Sequence, residues 1–203
     1  MNHPFLLVFL IGLLYVFIFR AISLLRREGI SNQFVLEGLG ALGLLLLAMY
    51  VGGFVIHPIY ALISLYLITM RGRLLVELGN QLSKWGRIYD ALGVYHLALR
   101  LFPDQPTRLI VLINIGAVYL ECQQPERAID VLEQVKAQIS HQLASKYMAS
   151  CCYNLGMAYR RVGRRDDALR QFREVEDIYP LSRYARLAEL AYNSTINELD
   201  KPQ

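Results

Sequence analysis

Hydrophobic positions run almost unbroken through the first 70 residues and then change to a helical period. Phe5 to Phe19 is continuously apolar, and Ala21–Leu25 extends the run past Arg20 to about 20 residues, enough for one helix across roughly 30 Å of hydrocarbon. A second apolar run, Phe34 to Met70, is interrupted at Gly52-Gly53 and His57-Pro58. It is longer than one span and divides in two ways. Either one helix crosses at about 34–56 and 59–70 lies in the interface, or helices at 34–51 and 54–70 form a hairpin turning at the glycines. Spans at 5–25, 34–51 and 54–70 thus make an anchor, residues 1–70, of two or three transmembrane helices. The leader lacks a basic n-region and an A-x-A-like site, so it reads as a retained anchor rather than a cleaved signal.

Beyond Arg71 the apolar positions recur at three- and four-residue spacing, the signature of amphipathic helices. Three Gly/Ala pairs twelve residues apart, Gly79/Ala91, Gly116/Ala128 and Gly156/Ala168, mark an internal repeat. Small residues suit a close helix crossing, and Tyr95, Leu132 and Phe172 fill the space beside it. Gly86 and Gly163 permit the turn between the helices, where the middle unit has Gln123. Pro103 and Pro180 close the first and third units, and Ser140 stands at that place in the second.

This pattern resembles the tetratricopeptide repeat, most closely in the third copy, Tyr153-Asn154-Leu155-Gly156-Met157-Ala158-Tyr159 through Ala168. The resemblance implies an all-α fold. N-terminal transmembrane helices would lead into a repeat domain over 71–203, with repeats at about 72–105, 109–142 and 149–182 and a capping helix at 183–199. It also implies a protein-binding groove lined by the first helix of each unit. Carried over position by position, the groove residues are Asn80, Lys84, Ile113, Ala117, Leu120, Tyr153, Met157, Arg160 and Arg161. Its apolar centre suits a hydrophobic segment of a partner. Asn80 and Asn114 also stand at positions of a carboxylate clamp known in the family, but Val76 and Ser150 replace two of its basic residues, which argues against an acidic-tail ligand.

Charge adds topology. Residues 1–70 carry only Arg20, Arg26, Arg27, Glu28 and Glu37 among the 38 charged residues of the chain. Arg26-Arg27 and Arg71/Arg73 share one membrane face only if an even number of spans separates them, which the hairpin provides. That arrangement places the repeats on the cytoplasmic face of a bacterial inner membrane or thylakoid-type membrane. Glu37 is expected at head-group level and His57 at the turn. The net charge of +4 is too small to announce nucleic-acid binding. Arg160, Arg161, Arg164 and Arg165 form a basic patch for anionic lipid or an acidic partner, or a solvated helix end neutralised by Asp166, Asp167, Glu174 and Glu176.

Cys122, Cys151 and Cys152 are an odd set with an adjacent pair, ill suited to a disulfide framework, and read as buried thiols. No catalytic constellation, metal-ligand spacing or phosphate-cradling loop occurs, so neither a cofactor nor a small-molecule substrate is expected. The expectation is a non-enzymatic scaffold: an assembly factor or accessory subunit of a membrane protein complex, its partners other proteins and the lipid bilayer. Its layout is similar to that of membrane-anchored photosystem-assembly proteins with a few such repeats. Periplasm-facing repeats serving envelope or cytochrome maturation are the alternative, and an enzyme is the third class.

Overall fold

The computed structural model describes residues 3–26, 32–138 and 145–197. Arg27, Ser140, His141, the end of the second repeat at 139–142 and the last two residues of the expected cap lie outside them. The described residues form nine α-helices: α1 His3–Arg26, α2 Asn32–Gly52, α3 Pro58–Lys84, α4 Ile88–Arg100, α5 Gln105–Glu121, α6 Pro125–Gln138, α7 Ser145–Arg161, α8 Arg165–Ile178 and α9 Arg183–Asn197. The fold is all-α.

Helices α1, α2 and α3 are each long and apolar enough to cross a membrane. Their bundle is apolar on the outside as well as within, the pattern of helices solvated by lipid. Val8, Leu42, Met49 and Leu65 are buried at its centre, while Phe17, Leu36, Leu44 and Tyr50 face outward. Small residues set the spacing, as packing between membrane helices requires. Gly12 faces Leu42 of α2, and Gly38 faces Val16 of α1. Gly40 and Gly43, on the same helix, meet nothing within 4 Å. One side-chain hydrogen bond, Tyr15 Oη to Thr69 Oγ1 at 2.7 Å, ties α1 to α3.

Of the two partitions of the second apolar run, the structure adopts the hairpin, but with a wider turn than the glycines alone suggest. Helix α2 ends at Gly52, Gly53 takes a left-handed φ of 65°, and α3 starts only at Pro58. His57 is the N-cap: its Nδ1 accepts from the Ile59 N–H at 3.3 Å, and Pro58 occupies the first turn, where a missing N–H costs nothing. Helix α3 then continues without a break through the expected boundary at residue 70. It is both the third apolar helix and the first helix of the first repeat, about 40 Å in length.

From α3 onward the helices pair as α3/α4, α5/α6 and α7/α8, with α9 packed on α7 and α8. Helices α3, α5, α7 and α9 touch in succession and form an inner row, and α4, α6 and α8 form an outer one. Each pair crosses at its glycine. A methyl group added to Gly116 would lie 2.6 Å from Leu132 Cγ, and one at Gly156 2.5 Å from Phe172 Cε1. At Gly79 it would meet the edge of the Tyr95 ring. Ala91, Ala128 and Ala168 are fully buried one turn away. The three turns within pairs repeat one design: Gly86, Gln123 and Gly163 all have φ between 58° and 79°. The N–H after each bonds back to the first helix, Arg87 to Leu82, Gln124 to Tyr119 and Arg164 to Tyr159, each at 2.9 Å.

Candidate protein-binding face and membrane junction

The expected groove residues meet three different fates. Ile113 and Leu120 are buried (3% and 7% exposed) in the cluster that joins α5 to α7, so they hold the inner row together and offer no surface. This corrects the expected apolar centre: helices of the inner row pack directly on each other, and that contact consumes the middle helix's large apolar residues. Tyr153 is half-buried, its ring 6.2 Å from Phe172 and 6.0 Å from Tyr184 of α9, so it serves the cap as much as the groove. Ala117, Met157 and Arg160 remain half-buried, and Lys84 is exposed at the end of α3.

Asn80 is engaged by its neighbours. Its Oδ1 accepts from Tyr95 Oη at 2.7 Å and from Asn114 Nδ2 at 3.1 Å. Both clamp-like asparagines are therefore spent on a ladder across α4, α3 and α5, a structural use of a position that the sequence left ambiguous. Burial pushes the Tyr95 hydroxyl up to about 12, assisted by the carboxylates of Glu121 and Glu77, so it stays protonated and donating.

The basic patch is largely absorbed. Arg161 donates to the Leu120 carbonyl and caps the C-terminus of α5. Arg164 pairs with Asp167 at 2.7 Å, approaches Glu133 at 4.0 Å and lies 4.3 Å from the Tyr159 ring centre. Arg170 also pairs with Asp167, whose carboxyl is held below the usual range first by Arg170 and then by Arg164. Glu174 is taken by Lys136 instead of an arginine. Arg165 is exposed at the start of α8.

The three cysteines are free thiols. Cys151 and Cys152 are buried, and burial pushes both up to about 12. Cys122 is half-buried. No group of three or more His, Cys, Asp or Glu side chains is placed to hold a metal among the described residues.

Sequence reasoning missed the most heavily bonded polar site, where the bundle meets the first repeat. Arg71 of α3 forms a two-point ion pair with Glu37 of α2, at 2.5 and 2.9 Å. The same guanidinium donates to the carbonyls of Leu101 at 3.0 Å and Phe102 at 3.2 Å, in the loop between α4 and α5. Gln33 bridges the same partners, donating to Glu37 at 2.8 Å and to Phe102 O at 3.0 Å. Phe102 is held at φ 50°, a left-handed conformation that an aromatic residue rarely adopts. Gly72, next along α3, lets Pro103 and Thr107 approach; a Cβ there would sit 3.1 Å from Thr107 Cγ2. A signal for this knot was present in the sequence. Glu37 lies fifteen residues before Gly52 and Arg71 thirteen after Pro58, so a hairpin sets them at similar height. Glu37, expected at head-group level, is in addition a cross-link between α2 and α3.

Three apolar helices carrying a row of paired amphipathic helices with a terminal cap define the class: an all-α helical-repeat protein on a membrane-type bundle. Residues 107–180, which span α5 to α8, match the tetratricopeptide repeat family. The pair α3/α4, outside that match, repeats the same Gly, Ala and left-handed turn positions. No match was found among curated proteins.

Proposed function

We propose that the protein is a non-catalytic scaffold, anchored by three membrane-spanning helices, that holds a partner within a membrane protein complex as an assembly factor or accessory subunit. The observation that carries this reading is the continuity of α3. A helix shared by anchor and repeat, cross-braced by Glu37, Arg71 and the Phe102 carbonyl, presents the repeats at a set angle to the bilayer. A free-ranging recognition domain would instead be joined by a flexible linker. Fixed presentation suits a partner that is itself embedded.

The partner face is the inner row. Ala117, Met157, Arg160 and Lys84 are its accessible members, a mixed surface rather than the continuous apolar groove expected from the sequence. We place the repeats on the cytoplasmic side. Arg71 and Arg73 stand at the repeat end of the bundle, while residues 1–19 and 38–70 carry no Asp, Glu, Lys or Arg at all.

Two measurements test this. A pull-down of the full chain in mild detergent is compared with Ala117→Arg and Met157→Ala variants of unchanged melting temperature. Loss of a membrane-protein partner is expected, and recovery of the same partners in full would refute the inner row as the binding face. A reporter fused after Gln203 is expected to be active only in the cytoplasm, and activity on the opposite side would overturn the orientation.

A further inference from the structure

The repeat register exposes a face of the first unit that its two sister units bury. On the first helices of the second and third units, Val111, Ile115 and Val118 and their counterparts Cys151, Leu155 and Ala158 are at most 2% exposed. They are covered because each unit packs on the pair before it; Val111, Ile115 and Val118 share a core with Ala91, Tyr95 and Ala98 of α4. The same register positions in the first unit are Leu74, Leu78 and Gln81, and no pair precedes them. Leu74 is 38% and Leu78 47% exposed. Trp85, the C-cap residue of α3 two turns beyond Leu78, is 64% exposed.

Helix α4 departs from its sisters in the same direction. Tyr89, Gly93 and Leu97 stand where the second unit has Glu126, Asp130 and Gln134 and the third has Asp166, Arg170 and Glu174. All three are exposed. Apolar or small residues in place of charged or polar ones, on the one unit with an uncovered edge, point to a partner on that unit.

The occupant must match a surface that runs through two solvents. Tyr60, Ile63, Leu67, Leu74, Leu78 and Trp85 are all exposed, and at 100° per residue they fall within an arc of about 60° along α3 and its C-cap. Lipid covers the lower part of that stripe but cannot reach Trp85, about 20 Å along the helix beyond Arg71. A soluble partner covers only the upper part. A second α3, rising from the same bilayer in the same orientation, covers all of it.

We propose that two copies of this chain associate through the α3 stripe, about a two-fold axis along the membrane normal. The axis follows from the shared bilayer, which permits only rotations that leave both bundles in the same orientation. Residues near it meet their own counterparts, Leu78 against Leu78 and Trp85 against Trp85. The inference does not depend on what the inner row binds.

Self-contact gives the test. Leu78→Cys and Trp85→Cys are made singly in the full-length chain, with Cys122→Ser as background, and oxidised in native membranes. Leu190→Cys on α9, at least as open to solvent as either test position, is the control. Disulfide-linked dimers are expected from Leu78→Cys or Trp85→Cys at several times the level of the control, because the bond forms only where Cα atoms approach within about 7 Å. Equal cross-linking at all three positions, or none at the two α3 positions, would overturn the proposal. A Leu74→Glu/Leu78→Glu variant provides an independent readout by light scattering of the detergent-purified full chain. Its mass is expected to halve with an unchanged melting temperature, and a wild-type chain that is already monomeric, or a variant mass that does not fall, would overturn it.

Discussion

At Gln123 the middle repeat uses an ordinary residue where its sisters use glycine, and it keeps the same left-handed turn at φ 58°. A side chain with a Cβ pays roughly 1–2 kcal/mol for that conformation. Gln123→Gly removes this strain but adds freedom to the unfolded chain, so a net gain of about 0.5–1 kcal/mol is expected in chemical denaturation; a loss would mean that the glutamine side chain is bonded in a way that offsets the strain. The crossing glycines behave oppositely. Gly156→Ala drives a methyl into Phe172, and overpacking of this kind costs about 1–3 kcal/mol. An unchanged melting temperature would show that the ring can swing away. The thiols add a pH dependence with a definite sign. Cys151 and Cys152 stay protonated in the fold up to about pH 12, against an ordinary value of 9.0. Their contribution is therefore full below pH 9 and is lost as pH rises from 9 toward 12, about 1 kcal/mol per thiol by pH 10. Denaturation midpoints between pH 8 and 10 check this, with Cys151→Ala flattening the decline. At neutral pH a thiol reagent is expected to label Cys122 far faster than the buried pair, and equal rates would contradict their burial.

Among the elements, α3 decides the architecture because it belongs to both halves. Its continuity leaves no hinge at residue 70, and the Glu37–Arg71 pair braces it against α2 and the α4–α5 loop. Arg71→Met is expected to release the Leu101 and Phe102 carbonyls and to loosen that loop. A partly exposed, bidentate pair of this kind contributes about 1–2 kcal/mol. Amide hydrogen exchange over residues 101–108 should then rise by on the order of tenfold, since 1.4 kcal/mol is a factor of ten in an equilibrium constant. Exchange that stays at the wild-type rate would show that Gly72 and Gln33 suffice to hold the loop. The repeat's helices, its crossing glycines and its turns were legible in the sequence because each is a local pattern with a fixed offset. The knot at Arg71 becomes legible only once the hairpin is chosen over the single span, since its members are separated by 30 to 34 residues.

For the whole molecule the consequence is a three-helix bundle with an apolar outer surface, a helix shared with the repeats, and an inner row closed at one end by α9 and open at the other. Sequence alone determined the all-α class, the apolar leader and the three-unit period. These depend on how each residue partitions between water, lipid and a neighbouring turn, and that is local information. Tertiary structure alone decided which apolar residues of the inner row are surface. Ile113 and Leu120 share the groove register with Ala117, yet α7 covers the first two and leaves the third half open. Likewise Leu74 and Val111 occupy the same repeat position with similar side chains, and only the presence or absence of a preceding helix pair makes one a contact surface and the other core. Burial is a property of neighbours, and the neighbours of a repeat are set by where the array begins and ends.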